Sequence, residues 1–166
     1  MATTPTAAQT PTTGFQPAFK RVAQTSDFDC WLACVATIVN RPLAEVRQVA
    51  VDRFKLPKHG PYLFMDEILI AKLLANWSFT ATAYKESTGI ASLPDLAIGL
   101  AAYDSVTEIG RHVIFVRQRG AASKPNVEYI IDPAHWIDPS QHVRTDIKGF
   151  PISWHIGIMP TRPEGK

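Results

Sequence analysis

The sequence is short of cysteine, of net charge and of long apolar runs, and each shortage narrows what the chain can be. Only two cysteines occur, Cys30 and Cys34, too few for the disulfide framework of a small secreted domain. Four residues apart on a helix, they would lie on neighbouring turns of one face, a poor geometry for a bridge. No further cysteine or histidine ligands stand at zinc-site spacing, so no metal and no organic cofactor is expected. What remains is a reactive thiol, a buried thiol, or one of each.

The formal charge is +2, and Arg117 with Arg119 is the one local basic pair in the strand region. Without a basic stripe to follow phosphates, a nucleic-acid partner is not expected. No apolar stretch reaches the roughly 20 residues that span a bilayer, so no membrane role is expected. The first 16 residues have neither a basic n-region nor an apolar h-region, so they are not an ordinary secretory signal. They are rich in Thr, Ala and Pro, and such a segment buries too little apolar surface to offset its ordering entropy. Residues 1–18 are therefore read as a disordered tail, 19–160 as one folded domain and 161–166 as a flexible end. The tail is either plain or an address for a dedicated export machine, which puts the protein in the cytoplasm or on a non-Sec secretion route.

What is present is a 46% hydrophobic chain, long enough for one real core. Ser26-Asp27-Phe28-Asp29 gathers N-cap residues just before Cys30–Val39, which is apolar all round and reads as a buried helix. Asn40 closes it. Pro42 suits the first turn of a second helix, Leu43–Phe54, and helical spacing returns over Phe64–Trp77. Ser78–Tyr84 alternates as a modest strand, and Leu93–Tyr103 is predicted to be a short helix. His112–Val116 and Val127–Ile131 are β-branched, aromatic runs joined by a turn-rich stretch, which predicts a hairpin; Phe150–Met159 supplies another strand. Helices first and antiparallel strands after make the class α+β.

A thiolate is the nucleophilic form of cysteine, and a helix N-terminus favours it. Cys30 stands at such a start, with Asp27 or Asp29 as cap. Its own N–H is placed to donate to an oxyanion, and Gln24, six residues upstream, offers a neutral second donor. His112 opens an apolar strand, and Asp132 ends the paired strand just before Pro133. Hairpin register is expected to bring His112 and Asp132 side by side, base beside orienting carboxylate. His155, in Ser153-Trp154-His155-Ile156, is the serious rival for the base; His59, His135 and His142 are weaker. Asp138, in a repeat of the Ile-Asp-Pro pattern, reads as a turn. Cys34 reads as a small core residue.

Gln24-x5-Cys30-Trp31-Leu32-Ala33, Gly110-Arg111-His112-Val113-Ile114 and Ile131-Asp132-Pro133-Ala134 together resemble the bacterial papain-like cysteine peptidases. The C39-like group and the effector proteases of the AvrRpt2 type are the nearest in look. The resemblance implies a papain-like fold, with a central nucleophile helix packed on a C-terminal antiparallel sheet. It also implies an oxyanion-hole role for Gln24, a nucleophile in Cys30, a base in His112 and an orienting acid in Asp132. The C39 peptidases that trim double-glycine leaders commonly carry Gly after the Cys and are joined to a membrane exporter. Trp31 departs from that pattern and is nearer to the papain and effector form. The expected activity is amide-bond cleavage through a thioester on a protein or peptide substrate, in the setting of a delivered effector or toxin with an immunity or host target protein as further partner. Deamidation or acyl transfer uses the same groups, and an inactive peptide-binding module is the rival of a different class.

Overall fold

The computed structural model describes residues 15–62 and 66–161. The tail expected over 1–18 falls mostly outside them, as do the C-terminal end and the predicted start of the third helix at Phe64. Three helices come first: α1 (Cys30–Val39), α2 (Leu43–Phe54) and α3 (Glu67–Ala75). Seven strands follow: β1 (Phe79–Ala81), β2 (Lys85–Glu86), β3 (Leu96–Asp104), β4 (Ile109–Gln118), β5 (Val127–Ile131), β6 (Val143–Arg144) and β7 (Ile152–Pro160).

All ten residues of α1 are buried, which is why its sequence shows no polar face. It packs on β4 and is flanked by α2 and α3. Asn40 ends it in the left-handed region at φ 52°, its N–H returning to the Ala36 and Thr37 carbonyls, a common way to satisfy the last carbonyls of a helix. The sheet is antiparallel throughout, in the order β1-β7-β3-β4-β5-β6, with β2 also on β7. The α+β class and a buried helix laid on an antiparallel sheet are as the sequence predicts.

The predicted helix over Leu93–Tyr103 is instead β3, a central strand between β4 and β7. Core clusters cover both of its faces, Ile98 on one and Ala97 with Ala101 on the other, so its residues need not alternate in polarity, and periodicity alone cannot separate such a run from a buried helix. Gly99 carried the signal. A Cβ there would lie 2.9 Å from Ile152 Cγ2, so the glycine permits close approach of β7, a strand use of glycine.

The two sheet faces decide which side chains can meet, because successive strand residues point opposite ways. Ile98, Ile114, Ile131 and Ile156 join the main core with α1. Ala97, Val113, Phe115 and Ile130 build a smaller cluster on the far face. His112 stands two residues before Ile114 and so shares the face of α1. His155 pairs with Gly99, which pairs in turn with Val113, so it belongs to the far face. Strand parity therefore places His112, and not His155, beside the start of α1.

Candidate active site

Cys30 begins α1 and lies 3.5 Å from His112, Sγ to Nδ1. The His112 backbone N–H also donates to the same sulfur at 3.3 Å. Both residues are 6% exposed, and both line a cleft of about 260 Å³. Phe28, Trp31, Tyr62, Ile109 and Trp136 also line it, with Asp27, Gly110 and Arg111. Several of these walls are unusually open for apolar residues: Phe28, Ile109 and Trp136 are all exposed.

Asp29 takes the N-cap position but makes no side-chain cap bond. Its carboxylate instead accepts the backbone N–H groups of Thr25 and Ser26 and the Thr25 hydroxyl, and it pairs with Arg47. The expected helix cap is thus a clamp on the chain leading into the helix. At 0% exposure the carboxylate also opposes ionisation of Cys30. Burial is the larger cause that pushes the Cys30 thiol up; the N–H groups of His112, Trp31 and Cys30 itself pull the other way without prevailing. Desolvation thus outweighs the N–H donors at the helix start, and the thiol is the resting form. Burial pulls His112 down to about 4, so its imidazole rests neutral.

The hydrogen bond expected between His112 and Asp132 is not formed. Ile114 pairs with Ile131, so the register carries Asp132 opposite Val113 and onto the far face. There Oδ2 accepts Arg111 Nη2 at 2.8 Å and Nε at 3.1 Å, while Oδ1 accepts the Ala134 N–H at 3.0 Å. Adjacency along a hairpin was legible in the sequence; the parity that separates these two residues was not. The imidazole Nε2 meets the Tyr84 hydroxyl instead, at 2.7 Å. No motif marks Tyr84, which reaches His112 because β2, the next two residues, pairs with β7.

Gln24 is buried at 2% exposure beside the start of α1. Its backbone N–H donates to the Pro133 carbonyl, which ties the lead-in to the Asp132–Ala134 segment. Its Nε2 donates to the Ser26 carbonyl at 2.7 Å and its Oε1 has no partner among the described residues. The side chain does not line the cleft. Cys34 is fully buried in the main core, as expected of a packing residue, and both cysteines are free. Asp138 caps a short turn through Ser140, also as expected. Among the described residues no group of three or more metal-ligating side chains is found, and no helix is long and apolar enough to cross a membrane.

The depressed His112 has a consequence for stability. In the unfolded chain the imidazole protonates near pH 6.5, in the folded chain only near 4. Between those values the unfolded state binds the additional proton, so stability falls as pH drops from 6.5 to 4 and levels below. The shift corresponds to about 3 kcal/mol. Urea unfolding at the two ends of that window is expected to show His112→Gln losing about 3 kcal/mol less than wild type. Equal losses would mean that His112 is not buried as a neutral ring.

No protein-family profile matches the chain, and no curated protein matches it. Among solved structures, it shares its fold with a double glycine motif protease from an AMS/PCAT transporter, crystallised in complex with the leader peptide. The TM-score is 0.54 at 15% identity, over 86% of this chain and 92% of that one. The helix-plus-antiparallel-sheet architecture is thus one that this chain shares with that protease.

Proposed function

We propose that the chain is a cysteine peptidase that cleaves a peptide bond through a thioester on Cys30. The observation that carries this reading is the contact of Cys30 Sγ with His112 Nδ1 at the head of a buried helix, on the floor of an open apolar cleft. The shared fold with a peptidase supports it, and the leader peptide bound by that neighbour supports a peptide as the substrate class. Phe28, Tyr62, Ile109 and Trp136 suit a substrate with apolar side chains near the scissile bond.

The thiol proton passes from Sγ to Nδ1 as sulfur attacks the carbonyl carbon. The Cys30 N–H is the nearest candidate donor to the resulting oxyanion. Collapse breaks the C–N bond, and Nδ1–H is given to the leaving amine. Water then attacks the thioester, His112 takes its proton, and the acid is released as the thiol re-forms. Gln24 serves as a second oxyanion donor once its carboxamide turns from the Ser26 carbonyl. Its unpartnered buried Oε1 holds the present orientation weakly.

Thiol and imidazole are both neutral at rest, so the reactive ion pair is a minor form made by internal proton transfer. Its share does not change with pH between the imidazolium and thiol pKa values. A lone thiol, by contrast, loses about tenfold in thiolate per pH unit below its pKa. This contrast is a signature of the pair. For the reaction itself, wild type is incubated with a complex peptide mixture and new termini are read by mass spectrometry. Cleavage clustered at apolar residues, absent from Cys30→Ala, is the expected result. If wild type and variant leave the mixture equally intact under reducing conditions, the peptidase reading is rejected.

A further inference from the structure

We propose that Tyr84 is the positioning residue of His112: its phenol oxygen accepts Nε2–H, so that the Nδ1 lone pair faces Cys30. The proposal rests on the reading of Cys30 and His112 as nucleophile and base. It gives to a neutral phenol the place that the resemblance gives to Asp132.

Four observations carry it. Tyr84 Oη and His112 Nε2 are 2.7 Å apart, and the other ring nitrogen is the one that faces sulfur, so the imidazole bridges the two. The Asp132 carboxylate is already committed to Arg111 and the Ala134 N–H. Tyr84 is held from its backbone, its N–H donating to the Glu67 carboxylate at the start of α3 at 2.6 Å. Burial first, then Cys30, Cys34 and Glu67, pushes the phenol well up from its ordinary value. It therefore keeps its proton wherever the enzyme works.

The chemistry follows from the charge of the partner. With Nε2–H held by Tyr84, the only free lone pair of the neutral ring is on Nδ1, which is where the thiol proton must go. After transfer, Nε2–H still donates to the phenol oxygen. The ring is oriented but its positive charge is not cancelled, as a carboxylate would cancel it. The ion pair is then scarcer than in a carboxylate-backed dyad, in keeping with the neutral resting forms described above. The charged and titratable groups around the pair are Cys34 and Asp29 from α1 and its cap, Arg47 on Asp29, Glu67 from α3, and Arg111 on β4. None of them meets Nε2 at hydrogen-bond distance among the described residues.

The test is Tyr84→Phe, which keeps the ring and removes only the acceptor. Alkylation of Cys30 by iodoacetamide forms the S–C bond, releases iodide and lets the imidazolium proton go to solvent. The expected profile of the variant has its flat mid-pH rate lowered about tenfold, with the rate at the alkaline end unchanged. A purely structural role would move both limbs together or neither. In wild type, ¹⁵N shifts of the His112 ring are expected to report the Nε2-protonated tautomer, a measurement that does not depend on the variant folding. An unchanged ratio of mid-pH to alkaline rates in Tyr84→Phe, or an Nδ1-protonated ring in wild type, overturns the proposal. A wild-type profile without any flat region would instead remove the Cys30–His112 pair itself.

Discussion

Asp29→Ala is expected to lower unfolding stability by about 3 kcal/mol, the lower end of the range for breaking a buried ion pair. Asp29 is wholly buried, whereas the Arg47 side chain keeps 31% of its exposure and can regain water once its partner is gone. That softens the loss of the charge pair. The remaining cost comes from the Thr25 and Ser26 N–H groups, which lose their acceptor at the entry to α1. Asp29→Asn retains an acceptor and is expected to cost less. It also removes a negative charge that raises the Cys30 thiol, so Cys30 in that variant should ionise at lower pH than in wild type. Urea titration reads the first effect and thiol titration the second. A cost near zero for Asp29→Ala would mean that the carboxylate does not organise the lead-in to the nucleophile.

The two cysteines are expected to respond in opposite ways. Cys30→Ala abolishes trapping by a peptidyl vinyl sulfone and lowers peptide cleavage by at least about 10³-fold, since no other group can form the acyl-enzyme. The variant keeps its fold, because Cys30 stands at the edge of the core with its sulfur on the cleft. Cys34→Ala costs about 1 kcal/mol of stability for the buried sulfur it removes and leaves trapping intact. Cys34 is fully buried, and burial pushes its thiol well up, so it is neither reachable nor ionised. Intact-mass spectrometry after trapping separates the cases. Labelling that persists in Cys30→Ala and disappears in Cys34→Ala would reverse the assignment.

The site was half legible in the sequence. The cap-like cluster, the apolar run and Asn40 defined α1 to the residue, because helix ends are written in local chemistry. The β-branched runs on either side of a turn-rich loop located β4 and β5 for the same reason. What failed was decided by neighbours. Leu96–Asp104 is a strand because β4 and β7 pair with it on either side, and only Gly99 hinted at that. Asp132 missed His112 through strand parity, which depends on a register fixed by the loop between the strands. Tyr84 entered the site through the pairing of β2 with β7, Lys85 with His155 and Glu86 with Trp154, a long-range contact that leaves no local trace. Gln24 was rightly placed near the helix start, yet its carboxamide turns to Ser26.

The central claim is that Cys30 and His112 work as one nucleophile–base pair, and the rate of Cys30 alkylation by iodoacetamide against pH tests it most directly. Wild type is predicted to hold a nearly flat rate between about pH 5 and pH 8, while His112→Ala falls by about tenfold per unit across that range. A wild-type profile that falls as steeply as the variant would contradict the pair, and with it the peptidase.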